Sequence, residues 1–299
     1  MRHPLTVFTP TYNRKETLKR TYHSLQSQSC KDFVWLIIDD GSIDDTKTEV
    51  AKWQIEKNGF KIQYVYKENG GLHTGYNKAI ELMETELCIC IDSDDYMPTD
   101  GVERILDLWL KEGSSEYAGI VGYDFIIGTD KPIGGDLPAV HDLHIVDLAQ
   151  KYNHRGDVKL VHRTSLLKEV FPMPTFVGEK NFNPIYLFLK IDMKYPLLLL
   201  RENLCFVDYQ PDGMAANIFN QYRNSPNSFA ELRRVTMCHP KLGLKYKFFQ
   251  NIHYVANSII AHDFSFIKKS PKRLLTILSI PFGIILYLYI MCKTSYKNA

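Results

Sequence analysis

Along the first third of the chain, short apolar runs alternate with helical patterns. Residues 5–9, 33–38, 62–66 and 87–91 are β-rich, and the segments between them carry apolar residues three and four apart. Strands alternating with helices predict a parallel sheet. In the first intervening segment Leu18, Tyr22 and Leu25 share one face, and Asn13 with Glu16 has capping-box spacing. The next helix is expected after Asp44 and Asp45. A third, over residues 73–83, places Tyr76, Ala79, Ile80 and Met83 at helical spacing.

Regularity then declines. A helix is predicted near 102–110, a strand or strand pair over 117–127, and a Gly/Pro-rich loop over 128–138. Late strands are expected at 197–200 and 204–207 around Arg201-Glu202-Asn203, and helices at 217–237 and 242–261. Residues 274–292 form an apolar stretch interrupted by Pro281 and Gly283, with Lys268, Lys269, Lys272 and Arg273 before it and Lys293 after. Nineteen such residues are enough to be considered as a membrane span. The interruption, and Tyr287 and Tyr289 within the stretch, favour an interfacial or re-entrant anchor, with a helix packed on the protein as the alternative.

Composition narrows the class. With 299 residues, 45% hydrophobic and 23% charged, the chain is an ordinary globular folder, neither disordered nor polytopic. Its net charge of +2 hides an asymmetry: residues 240–299 hold eight Lys, one Arg, one Asp and no Glu, so the rest carries −6. A basic, apolar tail behind an acidic body points to an anionic membrane surface and away from nucleic acid. The N-terminal apolar run is too short for a signal peptide, which predicts a cytoplasmic protein at the inner face of the cell membrane. Six cysteines without a CxxC pair are expected to be reduced thiols.

Ligands of open α/β sheets bind beyond the carboxyl ends of the strands. Four loops there stand out: Pro10-Thr11-Tyr12-Asn13; Asp39-Asp40-Gly41-Ser42 with Asp44; Asn69-Gly70-Gly71 with Asn77; and Asp92-Ser93-Asp94-Asp95. Hard carboxylate oxygens in Asp-x-Asp suit Mg²⁺ or Mn²⁺ shared with substrate phosphates. Each loop alone also reads as a turn or helix cap.

Taken in order and spacing, the four loops resemble those of the family 2 glycosyltransferases over about the first 110 residues. The resemblance implies an α/β GT-A fold, with a mainly parallel, mixed sheet flanked by helices and a helical C-terminal extension. It implies that Tyr12 packs on a nucleotide base, with Pro10 beside it, and that Asp40, next to Asp39, bonds that base. Asn69, Gly70, Asn77, Asp92 and Ser93 would bind the donor, the Asp-x-Asp loop would hold ribose and the diphosphate metal through Asp92, Asp94 and Asp95, and Asp94 and Asp95 would be the metal ligands. Gly75-Tyr76-Asn77 departs from the common Ala-Arg-Asn, so the basic donor contact is open between His73, Lys78 and solvent. Gly178-Glu179-Lys180 resembles a segment of capsule- and polysaccharide-type members. It implies Glu179 as general base, against a structural reading as a helix N-terminal acid. Asp212, in Pro-Asp-Gly, is a turn or acceptor residue.

The expected activity is inverting transfer of a sugar from a nucleotide diphosphate donor, with uridine the family's commonest base, to a saccharide or lipid-linked saccharide hydroxyl. Two rivals are a sugar nucleotidyltransferase, disfavoured because the first loop has no glycine, and a silent nucleotide-sugar-binding or membrane scaffold. Expected divisions are a catalytic domain at 1–215, a helical extension at 216–270 and a membrane-associating tail at 271–299. Donor sugar, acceptor and oligomeric state stay open.

Overall fold

A computed structural model describes residues 4–208 and 217–295 of the chain. Strands and helices alternate through its first part as β1 (Leu5–Thr11), α1 (Lys15–Gln26), β2 (Phe33–Asp39), α2 (Thr46–Gln54), β3 (Lys61–Tyr66), α3 (Leu72–Leu82), β4 (Leu87–Cys90), α4 (Gly101–Glu112) and β5 (Gly119–Ile126). The chain continues through β6 (Asp142–Leu143), α5 (Ile145–Gln150), β7 (Val158–Arg163), α6 (Thr164–Val170), α7 (Ile185–Asp192) and β8 (Leu197–Val207). It ends in helices α8 (Ile218–Asn224), α9 (Pro226–Cys238), α10 (Leu244–Ile260), α11 (Phe266–Lys269) and α12 (Arg273–Ser295).

Among the described residues, eight strands join one sheet in the order β3-β2-β1-β4-β7-β5-β8-β6. Pairs β1/β2, β1/β4, β2/β3 and β5/β8 are parallel, while β7 runs antiparallel between β4 and β5, and β6 antiparallel to β8. The expected mixed α/β sheet is therefore present. Its central strands are buried on both faces: β1 at every position and β2 at all but one. Against this sheet Tyr22, Trp35 and Trp53 stack, with the Tyr22 and Trp53 ring centroids 4.5 Å apart. The Trp35 indole donates to Thr9 Oγ1 at 3.0 Å, satisfying a buried N–H.

The chain divides into two compact units. One comprises Met1–Gly70, Gly75–Pro172 and Lys194–Tyr209, and contains the whole sheet. The other comprises Gly71–Thr74, Met173–Met193 and Gln210–Ala299. Residues 173–193 join the helices that follow the sheet, and the tail belongs to the same unit as α8–α10.

Three local expectations change. The predicted strand pair near 197–207 is one strand, because Arg201 and Glu202 continue the extended backbone at exposed positions and a register shift against β5 absorbs them. The helix of 217–237 breaks at Ser225-Pro226, where proline opens α9 at its first position. Asn13 does not cap α1: it sits at φ +51, and its side-chain oxygen accepts from Ile43 N at 2.8 Å.

Candidate active site

The loops at the carboxyl ends of β1 to β4 are tied to one another by hydrogen bonds. After β1, Tyr12 leaves the sheet and is 47% exposed, so an aromatic face remains available at that edge. Asn13 N donates to Ser42 Oγ at 2.9 Å, joining the first loop to the second. Pro10 stays buried within β1.

In the second loop Asp39 and Asp40 are both buried. Asp39 accepts from Ser42 N at 2.8 Å and from the Tyr64 hydroxyl. Asp40 accepts from Gly70 N at 3.0 Å and pairs with Lys67, while its backbone carbonyl accepts from the Asn69 amide at 2.8 Å. Thus Asn69 and Gly70 both bond Asp40 directly. Gly41 permits this approach: at φ +88, an added Cβ would lie 2.8 Å from Asn69 N. Asn77 is half-buried on α3, and Lys78 pairs with Glu81 on the surface at 3.1 Å. His73 is buried beside Phe182, which removes it from the solvent-facing alternatives.

The fourth loop splits its three carboxylates. Asp92 is exposed and Asp94 half-buried, whereas Asp95 and Ser93 are buried. Asp95 is held from within: its Oδ1 accepts from Asp208 N at 3.2 Å, its backbone carbonyl accepts from Thr21 Oγ1 at 2.8 Å, and Lys159 Nζ lies 4.0 Å from its Oδ2. The same ammonium lies 3.5 Å from Asp124 Oδ1. Burial pushes Asp95 up to about 7 and Asp124 up to about 6, with Lys159 opposing both shifts. Burial would lower Lys159, but Asp124, Cys205, Asp95 and Asp92 outweigh it and hold the ammonium charged. Immediately after the loop, Tyr96 exchanges backbone bonds with Phe206 of β8, fixing the loop's exit.

Two cations that motif reading left out of the site reach this loop from α1 and the residue before it. Arg14 forms an ion pair with Asp94, and Arg20 bonds the Asp94 carbonyl and Asp208 Oδ2, the latter at 2.8 Å. Arg14 directly follows the first motif, Pro10-Thr11-Tyr12-Asn13, and its place beside that loop was visible in the sequence. Lys159 had a weaker signal: strand alternation puts it on the same face as Val161, where a charge has to find a partner.

Among the described residues no group of three or more His, Cys, Asp or Glu forms a closed metal cage. Asp95, expected beside Asp94 as a metal ligand, is buried against Asp208 N and Lys159, whereas Asp92, exposed, and Asp94, half-buried in its ion pair with Arg14, supply hard oxygens. That donor set fits Mg²⁺ or Mn²⁺, which commonly take one or two carboxylates and complete their shell with water and substrate phosphate.

Glu179 lies in the second unit and is buried. One oxygen accepts from Asn227 N at 2.9 Å and Asn227 Nδ2 at 2.8 Å, and the other from Ser228 N at 2.8 Å and Ser228 Oγ at 2.7 Å. It therefore closes the first turn of α9, where N–H groups have no intrahelical partner. The backbone just after it is closely packed as well: a Cβ on Gly71, at φ +91, would overlap the Lys180 carbonyl oxygen. Asp212 lies outside the described residues.

Residues 6–137 match the model of Glycosyl transferase family 2. The Bacillus subtilis protein named for teichuronic acid biosynthesis, glycosyltransferase TuaG, is 33% identical over 108 residues, covering 36% of this chain and 42% of its own length. Among solved structures, S. aureus TarS 1-349 in complex with UDP-GlcNAc superposes with a TM-score of 0.61 at 16% identity, over 94% of this chain and 80% of that one. The mannosyltransferase PcManGT from Pyrobaculum calidifontis, in complex with GDP-Man and Mn²⁺, superposes with 0.58 at 15% identity, over 97% and 88%. These structural likenesses concern the fold, and the chain spans less than half the length of the first curated relatives it matches. The match to the glycosyl transferase family 2 model is confined to residues 6–137, and the mixed sheet with its flanking helices has the GT-A fold.

Proposed function

We propose that the protein transfers a sugar from a nucleotide diphosphate donor, a UDP-sugar, to a hydroxyl of a saccharide or lipid-linked saccharide in cell-surface polysaccharide synthesis, with inversion at the anomeric carbon. One observation carries this reading: an exposed Tyr12, a hydrogen-bonded Asp39-Asp40 pair, an exposed Asp92 and an Asp94 paired with Arg14 lie on four cross-bonded loops at one sheet edge.

In this reading Tyr12 stacks on the base and Asp40 orients it, with Asn69 and Gly70 holding the Asp40 backbone and carboxylate in place. Asp92 and Ser93 take the ribose. Asp92 and Asp94 hold Mg²⁺ or Mn²⁺, which would neutralise the departing diphosphate as a Lewis acid. Asp95 supports the loop from below through Lys159. Arg14 exchanges its pairing with Asp94 for the diphosphate, and with Arg20 supplies the positive charge absent from Gly75-Tyr76-Asn77. Glu179 accepts the acceptor's proton on condition that one of its oxygens releases a donor of α9. The protein works at the cytoplasmic face of the membrane, attached through its basic C-terminal helices.

The test is a panel of UDP-, GDP- and dTDP-sugars assayed for hydrolysis and transfer with Mg²⁺, Mn²⁺ or chelator. A metal-dependent preference for a UDP-sugar, abolished in Asp94→Ala, is expected. Full turnover in chelator removes the metal role, and no turnover or donor-induced thermal shift with any nucleotide sugar removes the transferase reading.

A further inference from the structure

Within the second unit, α12 runs unbroken for 23 residues, about 34 Å, through both Pro281 and Gly283. This length would cross a bilayer core of about 30 Å. Its packing argues otherwise. Thr276, Ser279, Gly283, Ile290 and Thr294 are buried at spacings of three, four and seven, a stripe that follows the helix from end to end. Its partner is α10, and at the crossing a Cβ on Gly283 would lie 2.5 Å from the Val255 Cβ.

Both ends of the stripe are bonded to polar residues. At the start Thr276 Oγ1 bonds Ser270 Oγ at 2.6 Å and donates to Asn251 Oδ1 of α10. At the end Thr294 Oγ1 accepts from Arg223 of α8 at 3.2 Å. Helix α10 buries Lys247, Asn251, Asn257 and Ser258, and α12 is the one helix among the described residues long and apolar enough to cross a membrane. A crossing would place one of these polar anchors in hydrocarbon or strip it from α12.

The opposite face is apolar and exposed. It presents Leu274, Ile277, Leu278, Phe282, Ile285 and Leu288, and Phe249 of α10 is also exposed. Exposed Lys268, Lys269, Lys272 and Arg273 stand before this face and Lys293 near its end. We propose that α12 lies in the plane of an anionic lipid surface, with this face in the headgroup and upper acyl region, and does not span the bilayer. Charge selects lipid over a second copy of the chain. Residues 240–299 carry +8, so two copies apposed here would repel, whereas an anionic leaflet attracts.

The inference rests on the proposal that the protein works at a membrane, and not on its chemistry. Its test contains no sugar donor, so failure here and failure of the transferase reading are seen separately. The full chain is floated with vesicles of phosphatidylcholine alone or mixed with phosphatidylserine. Binding to the mixed vesicles, weakened by salt, is expected. Ile277→Glu with Ile285→Glu, both at exposed positions, should reduce it at least about tenfold with unchanged Tm. Topology is read with a membrane-impermeant maleimide after synthesis beside sealed vesicles. Cys238 and, in a Cys292→Ser background, Lys293→Cys should label equally without detergent. Labelling of Lys293→Cys only after detergent means a spanning helix and overturns the proposal. So does indifference to both vesicle types, or a dimer formed without lipid that the glutamate variant dissociates.

Discussion

Because both oxygens of Glu179 accept from the first turn of α9, Glu179→Gln cannot be silent in folding. An amide turns one acceptor oxygen into a donor facing donors, which should cost about 1–3 kcal/mol in urea unfolding. If Glu179 is also the base, kcat falls at least about a hundredfold in protein that remains folded, with donor binding retained. Stability loss with unchanged specific activity restricts Glu179 to the cap. Lys159 makes a second residue-scale case. Lys159→Met leaves Asp95 and Asp124 without their shared ammonium, and removal of one partner from a buried ionic group costs about 3–5 kcal/mol. Adding Asp124→Asn should restore at least about 1 kcal/mol, since it removes one of the stranded charges. A Lys159→Met protein that unfolds at the wild-type urea concentration refutes this pairing. The four loops were legible because turn residues and carboxylates recur at strand ends. Lys159 and Asp124 were not, because each alone is an ordinary strand residue and their meeting depends on β7 entering between β4 and β5.

Elements with strong local patterns matched their sequence reading, and those defined by distant partners did not. Helices α1 to α4 and strands β1 to β5 were readable from period and turn residues. Strand β7 escaped because Val158–Arg163 mixes three basic residues into a short run, and only antiparallel pairing on both sides completes it. In α12 the reverse error arises: Pro281 and Gly283 predict an interruption, yet the helix continues. An interior proline costs about 3 kcal/mol in helix propensity, and the α10 packing that glycine allows offsets it. Gly283→Val is therefore expected to disrupt the α10–α12 pair. Its Cβ lies too close to Val255 to be accommodated without separation of the helices, and overpacking of this kind costs about 1–3 kcal/mol. Hydrogen exchange should show lost protection in α10 and α12 with β1–β4 unaffected. Equal loss throughout the sheet means that the pair is not a separate stability element.

At the scale of the whole molecule, the two units contain groups that couple folding to pH in opposite directions. In the sheet unit, burial raises Asp124 from 3.8 to about 6. Between those values the folded state keeps a proton that the unfolded state has lost, so this group's stabilising contribution is full below pH 3.8 and disappears as pH rises through 6. In the helical unit His253 is lowered from 6.5 to about 4 by burial and then by Arg233. There the unfolded state binds the extra proton, so the contribution is present above pH 6.5 and is lost as pH falls toward 4. A shift of about two units corresponds to about 3 kcal/mol at most. Other groups are shifted by burial too, among them His154 in the sheet unit, which burial lowers. Each effect is therefore read as a difference between wild type and one variant from pH 4.5 to 6.5. Unit-resolved hydrogen exchange in urea should show that Asp124→Asn removes a loss of sheet-unit stability with rising pH. His253→Gln should remove a gain in the helical unit over the same range. Parallel pH profiles for wild type and either variant show that the corresponding group has the same pKa folded and unfolded, and its burial then contributes nothing to the pH response.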